Sequence, residues 1–156
     1  MDTMLTSVIA VLGTLAGALV SGLLQHRAAR IERLSARREQ RRHEQMNAVA
    51  ALAVALSDHR RAMWKVRDAI LSGNAEQRVQ DLRDESHRTR SAVTDPSVRL
   101  RLLILDETVR AAAASAIDAT YVMREAADLD ELQVLRASAI AAHDDFVNAA
   151  GAFLGA

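Results

Sequence analysis

The sequence predicts an all-α protein in which an N-terminal transmembrane helix continues into a long basic helix, followed by an antiparallel helical bundle. Helix-favouring alanine, leucine and arginine are abundant, whereas the 156 residues include only two Phe, one Tyr and one Trp. The only proline is Pro96, so long stretches lack a helix breaker. We divide the chain into an anchor (residues 1–24), a basic stalk (residues 25–45) and a bundle (residues 46–156).

The apolar run over residues 4–24 contains no charged side chain. A helix of these twenty-one residues spans about 31 Å, close to the roughly 30 Å hydrocarbon layer of a membrane. A cleavable signal peptide would have a basic start and a shorter apolar core. A buried soluble helix would be destabilised by Gly13, Gly17 and Gly22, which membrane helices tolerate better. The run is therefore predicted to cross the membrane once.

The charges beside this run predict its orientation. Seven arginines lie from Arg27 to Arg42, whereas the other flank carries only Asp2. Because basic flanks stay in the cytoplasm, the N-terminus is expected outside and the C-terminal domain in the cytoplasm. The predicted location is the cell membrane, with lipid as one partner.

Small residues recur at four-residue spacing within the apolar run. Gly13, Gly17 and Ser21 lie on one side of the predicted helix. Such a row lets two membrane helices approach closely, so these residues are candidates for membrane self-association.

The stalk carries an arginine stripe whose members recur at three- and four-residue spacing. Like charges at this spacing destabilise a helix, so the stripe is either a solvated surface or meets an anion. The anion would be a lipid headgroup or a nucleic-acid backbone. The stripe consists of Arg30, Arg33, Arg37, Arg38, Arg41 and Arg42.

The bundle is expected to contain the end of the first helix and three more. The first helix is predicted to reach residue 71 and to end at Gly73, a residue suited to a left-handed turn. A second helix is predicted over residues 75–92. Short connections between helices predict antiparallel neighbours.

Two further helix starts are visible. The segment Thr94-Asp95-Pro96 supplies a cap followed by proline at the first helical position, which predicts a third helix that either overhangs the second or breaks near Asp106. Asp128 and Glu131 form a capping-box pattern that predicts the start of a fourth helix. The apolar face expected for the first part of the third helix is Val98, Leu102 and Leu105.

Polar residues face one another in the predicted hairpin of the first two helices. His59 interrupts an apolar stripe, and a hairpin about Gly73 places it beside His87. We interpret the group as a buried polar layer whose members satisfy one another; the alternative is a pH-sensing or anion-binding site. The layer consists of His59, Ser86, His87, Thr89 and Arg90.

The sequence indicates no catalytic chemistry. The absence of cysteine excludes disulfides, thiolate metal sites and cysteine catalysis. We find no zinc-ligand spacing around His143, no nucleophile elbow, no glycine-rich phosphate loop and no paired carboxylates. We therefore expect no enzyme activity, no metal, no cofactor and no small-molecule substrate.

At "SDHRRAMW" (residues 57–64) and "SHRTRSAVTDP" (residues 86–96), the sequence resembles the small KilB-type proteins of mycelial, high-GC Gram-positive bacteria and their conjugative plasmids. The resemblance covers most of the chain. It implies a role in plasmid transfer and spread, and it implies no enzyme activity.

These observations lead to three functional hypotheses. The first is a non-enzymatic single-pass membrane protein whose bundle binds a protein partner or a second copy of itself, in plasmid transfer. The second is a holin-like membrane-lesion protein, against which the folded bundle argues. The third is a membrane-tethered nucleic-acid-binding or sensor module that uses the arginine stripe.

Overall fold

The computed structural model describes the backbone of residues 2–155 and the side chains of residues 32–155. The chain divides into two units, Met1–Arg41 and Arg42–Ala156. No strand occurs in residues 2–155, so the predicted all-helical class is confirmed. The helices are α1 (Asp2–Leu71), α2 (Glu76–Leu103), α3 (Glu107–Val122) and α4 (Leu129–Gly155), with a 3-10 helix at Met123–Glu125.

The predicted anchor lies outside the part of the chain whose side chains the structure describes. This applies to residues 4–24, including Gly13, Gly17 and Ser21. In the part of the chain whose side chains are described, no helix has a stretch long and apolar enough to span a bilayer. Membrane insertion and helix association in the membrane therefore stay predictions.

The turn after α1 follows the sequence prediction. Gly73 has a φ of 67°, the left-handed conformation that glycine adopts without steric cost. The Asn74 amide donates to the carbonyl of Ala69 at 3.0 Å and so satisfies one of the last α1 carbonyls. The linker from residue 72 to residue 75 reverses the chain, and α2 begins at Glu76.

The predicted helix boundary at Thr94 and Pro96 is wrong, because α2 continues through Pro96 as far as Leu103. Proline removes one helical hydrogen bond and costs about 3 kcal/mol. Val93 and Leu100, on either side of Pro96, are 2% and 1% exposed. Burial of each contributes about 1.5–3 kcal/mol, which offsets the cost of the proline.

The alternative position for a break, near Asp106, is confirmed. Residues 104–106, which we call the elbow, separate α2 from α3. The Asp106 carboxylate accepts a hydrogen bond from the Val109 amide at 3.0 Å and caps α3.

Two side chains from other helices donate hydrogen bonds to the carbonyls at the end of α2. Arg110 donates from Nε to the carbonyl of Ile104 and from Nη2 to that of Arg101, both at 2.7 Å. Gln45 of α1 donates to the carbonyl of Leu103 at 2.8 Å. These bonds occupy carbonyls that have no partner at a helix end.

The break at the elbow changes which residues are buried. Leu100 and Ile104 are 1% and 0% exposed and belong to the core. The residues predicted to face inward are instead exposed, because they lie on the other side of α2 and beyond its end. They are Val98, Leu102 and Leu105, which are 51%, 75% and 68% exposed.

The start of α4 shows the predicted capping box. The Glu131 amide donates to the Asp128 carboxylate at 2.8 Å, and the Glu131 carboxylate accepts from the Ala127 amide at 2.6 Å. Arg67 of α1 donates from Nε and Nη2 to the buried carbonyl of Ala126, just before this cap. The connection from α3 to α4 is thereby fixed against α1.

The main core lies where α1 meets the other three helices. It includes Leu52 and Leu56 of α1, Val93 and Leu100 of α2, and Phe146 of α4. A column of small side chains also runs along α1 at seven-residue spacing. Its members Ala48, Ala55, Ala62 and Ala69 are all buried.

Candidate functional site

His59 lies at the centre of the strongest polar site in the bundle. It is 1% exposed, and its Nδ1 lies 3.0 Å from the Thr89 hydroxyl of α2. Ser86 donates to the Met63 sulfur at 3.2 Å. His59 is therefore level with Thr89 rather than with His87. The register of α1 against α2 differs from the predicted one by two residues because the linker extends past Gly73.

The hydrogen bonds define the tautomer of His59. The Thr89 hydroxyl donates its only proton to the Ser86 carbonyl at 3.0 Å. Toward His59 it can therefore only accept, so Nδ1 carries the proton and Nε2 a lone pair. Nε2 is buried and has no hydrogen-bond partner in the described part of the chain.

An aromatic ring of α3 packs against His59, and an arginine of α2 lies over that ring. The Tyr121 ring packs edge-on against the imidazole, with ring centroids 5.4 Å apart. The Arg90 guanidinium lies 5.1 Å from the centroid of the Tyr121 ring, within range of a cation–π contact. Burial first, and then the positive charge of Arg90, lower the pKa of His59 from 6.5 to about 4. The imidazole is therefore neutral at physiological pH.

A cavity of about 320 Å³ lies beside His59. His87 and Arg90 line it but are exposed, so the buried part of the predicted layer is limited to His59 and the half-buried Ser86 and Thr89. The cavity places a neutral buried histidine next to exposed positive charge. Its remaining lining residues are Met63, Val66, Arg83, Ser86, Tyr121 and Arg124.

The arginine stripe is solvent-exposed wherever its side chains are described. Arg30 lies outside that part of the chain, and its role stays a prediction. Exposure places guanidinium groups where a polyanion can reach them, and equally where water solvates them. The exposed members are Arg33, Arg37, Arg38, Arg41 and Arg42.

Within the described residues, no group of three or more His, Asp or Glu side chains is arranged to hold a metal ion. His143 has a structural contact instead, since its Nε2 donates to the carbonyl of Ala53 at 3.1 Å. This bond links α4 to α1.

A second polar cluster, around Trp64, was not predicted from the sequence. The Arg136 guanidinium lies 5.3 Å from the Trp64 ring centroid, and Arg60 lies beside them. No local signal reveals this cluster, because the packing of α4 against α1 brings Arg136 to Trp64 across 72 residues of sequence. The four-residue spacing of Arg60 and Trp64 places both on one face of α1.

Comparison with known proteins now assigns the family. A family model described as "KilB plasmid transfer protein" matches residues 46–154, most of the chain. The chain belongs to the KilB family. The KilB resemblance stated from residues 57–64 and 86–96 is thereby confirmed.

One curated KilB protein, from Streptomyces lividans, is 46% identical to this chain over 153 residues. The match covers 98% of this chain and 100% of that protein, so it extends beyond the bundle into the N-terminal residues. No solved structure matches the chain.

Proposed function

We propose that this KilB-family protein acts in plasmid transfer as a non-enzymatic, membrane-anchored interaction protein. The apolar run at residues 4–24 holds it in the membrane, and the bundle binds a protein partner or a second copy of the chain. The observation that carries the proposal is the family match over residues 46–154, because it covers the bundle rather than the anchor. The bundle is then the part through which the protein acts.

The proposed location follows from the sequence on either side of the stalk. A charge-free run of twenty-one residues precedes seven arginines, the order expected of a helix whose C-terminal flank stays in the cytoplasm. The bundle then lies where it meets cytoplasmic partners of a DNA-transfer apparatus.

An exposed apolar patch supports a role in protein binding. Val98, Leu102 and Leu105, which we call the elbow patch, are each more than half exposed. Residues 98 and 102 share one face of α2, and residue 105 follows in the elbow. Apolar side chains that are spaced like those of a core-facing helix but are exposed to solvent are typical of an interaction surface.

Plasmid transfer between mating strains tests the proposal. Deletion of the gene should reduce transfer or spread, and the full-length protein should restore it. Leu102→Ser with Leu105→Ser should restore it poorly although the protein accumulates normally. Val134→Ser, at another exposed apolar position on α4 (64% exposed), serves as the matched control.

Unchanged transfer and spread after deletion of the gene would contradict the proposed process. Crosslinking in native membranes then identifies the occupant of the elbow patch, with a covalent dimer indicating self-association. Collapse of the membrane potential on expression would favour the holin-like alternative.

A second candidate function, nucleic-acid tethering, is favoured by the exposure of five stripe arginines. The test is DNA binding by the purified protein across a salt series. Combined glutamine substitution of four arginines should remove salt-dependent binding, because each phosphate contact releases counterions. Absence of binding at low salt would exclude this function. The substituted residues are Arg37, Arg38, Arg41 and Arg42.

A further inference from the structure

A small cavity of about 170 Å³ lies between α1 and α4, separate from the cavity beside His59. Three arginines, a serine and the only tryptophan of the chain line it, and no carboxylate does. We call it the Trp64 pocket. Its lining residues are Ser57, Arg60, Arg61, Trp64, Arg136 and Ile140.

Two hydrogen-bond donors on residues that line this pocket have no acceptor among the described residues. Arg60 Nη1 and Trp64 Nε1 are both buried, and neither has a partner in the described part of the chain. Arg60 Nη2 reaches the Ser57 hydroxyl at 3.4 Å, a long and weak hydrogen bond. A buried donor without an acceptor is costly, and guanidinium and indole N–H groups can only donate. These buried donors therefore lack hydrogen-bond acceptors.

The charges in the pocket indicate the same kind of ligand. Burial lowers the pKa of Arg60, Asp144 partly opposes this, and the charges of Arg136 and Arg61 lower it further. Asp144 forms no salt bridge with Arg60 among the described residues, and Arg61 pairs with Asp58 at 3.4 Å. Positive charge thus exceeds negative charge around the unpartnered donors.

We propose that the Trp64 pocket binds a phosphate group, either as free inorganic phosphate or as a small phosphate monoester. Arg60 and Arg136 supply charged donors, and the Trp64 indole N–H supplies a neutral one. A phosphate group carries several acceptor oxygens and negative charge, and it matches the forked geometry of guanidinium groups.

Arg136 lines the pocket with an exposed side chain that stacks on the Trp64 ring, a contact that is weak at an exposed site. Phosphate would draw the Arg136 guanidinium off the ring and bring an acceptor to the two buried donors. Binding would therefore change the surroundings of the indole directly.

Trp64 makes the test specific, because its fluorescence comes from this pocket alone. The full-length protein in detergent is titrated with inorganic phosphate, with sodium chloride at matched ionic strength as the reference. We expect a saturable change in emission at millimolar phosphate. Arg136→Gln and Arg60→Gln should each weaken binding about tenfold or more, since each removes a charge-assisted hydrogen bond.

Arg99→Gln is the matched control, because Arg99 is an exposed arginine on α2 that lines none of the cavities described here. It should bind phosphate like the wild type. Asp144→Asn should tighten binding, since it removes a nearby negative charge. Arg136 is exposed, so its variant reports on binding even if Arg60→Gln does not fold.

Two results would overturn the proposal: no saturable emission change beyond that of chloride, or an unchanged titration in Arg136→Gln. Titration with glycerol 3-phosphate distinguishes a phosphate monoester from free inorganic phosphate as the ligand. Tighter binding than inorganic phosphate identifies a monoester ligand, and equal or weaker binding identifies free phosphate.

Discussion

At the scale of single residues, His59 couples the stability of the bundle to pH. Its pKa is about 4 in the folded protein, against 6.5 for an ordinary histidine. Between these values the unfolded chain binds more protons at this site than the folded chain does. The stability contributed by neutral His59 is therefore complete above pH 6.5 and is lost as the pH falls toward 4.

We predict that this loss amounts to about 2–3 kcal/mol of unfolding free energy. His59→Gln keeps a donor for Thr89 and removes the titration, so its stability should change less with pH than that of the wild type. Urea unfolding of both proteins at neutral pH and near pH 4 measures the difference. His43→Gln, at an exposed histidine of α1, should behave like the wild type.

Arg67 gives a second prediction at this scale. Its two donors reach the buried carbonyl of Ala126, which would otherwise lack a partner. Arg67→Met should lower the unfolding free energy by about 1.5–3 kcal/mol, the range for a charged donor to a buried acceptor. Lys65→Met, at an exposed position two residues before Arg67, should change the unfolding free energy by less than half of that amount. Equal effects in urea unfolding would contradict the role of Arg67.

The sequence predicted part of the chemistry around His59 and none of the chemistry around Trp64. A histidine in an apolar stripe and a hairpin turn at Gly73 sufficed to bring His59 near Thr89. The two-residue error in register arose because the linker is centred beyond the glycine. Arg136 meets Trp64 through the packing of α4 on α1, and no turn between neighbouring helices determines that register.

At the scale of helices, the path of α2 through Pro96 gives a prediction that involves two variants. In a continuous helix, Pro96→Ala restores a backbone donor and should raise the unfolding free energy by about 1–3 kcal/mol. In the same helix, Asp95→Ala should have an effect of only a few tenths of a kcal/mol. Chemical unfolding of both variants measures the two changes in unfolding free energy.

The opposite pattern would show that a helix starts at Pro96. Loss of about 1 kcal/mol in Asp95→Ala would indicate a lost cap. Together with a neutral Pro96→Ala, whose proline is favourable at the first helical position, it would contradict the continuous α2.

Helix ends were predictable where their own residues determine them. Gly73 and the pair Asp128 and Glu131 act through local hydrogen bonds that a sequence pattern shows directly. The end of α2 was harder to predict, because Gln45 and Arg110 complete it from other helices. For the same reason the first part of the inward-facing stripe, Val98, Leu102 and Leu105, was assigned incorrectly.

At the scale of the whole molecule, the main prediction is membrane attachment through residues 4–24. The full-length protein should sediment with membranes and resist extraction at high salt, because burial of an apolar run does not depend on ionic strength. Removal of residues 2–24 should release the bundle into the supernatant. Protease added outside the cell should leave the C-terminal domain intact.

Recovery of the full-length protein in the soluble fraction would contradict this prediction. A double substitution in the stalk, Arg37→Gln with Arg38→Gln, is the control for attachment by charge alone. It should leave the protein in the membrane even after a high-salt wash.

The alanine column of α1 has a consequence for how the bundle winds. Ala48, Ala55, Ala62 and Ala69 repeat every seven residues, whereas an α-helix falls about 20° short of two full turns over that distance. Over three repeats the drift reaches about 60°. Neighbouring helices therefore stay in contact with the column only by coiling around α1 in a left-handed superhelix. One residue inserted between Ala55 and Ala62 would rotate everything beyond it by about 100° and destroy that winding, whereas many exposed substitutions would leave it intact.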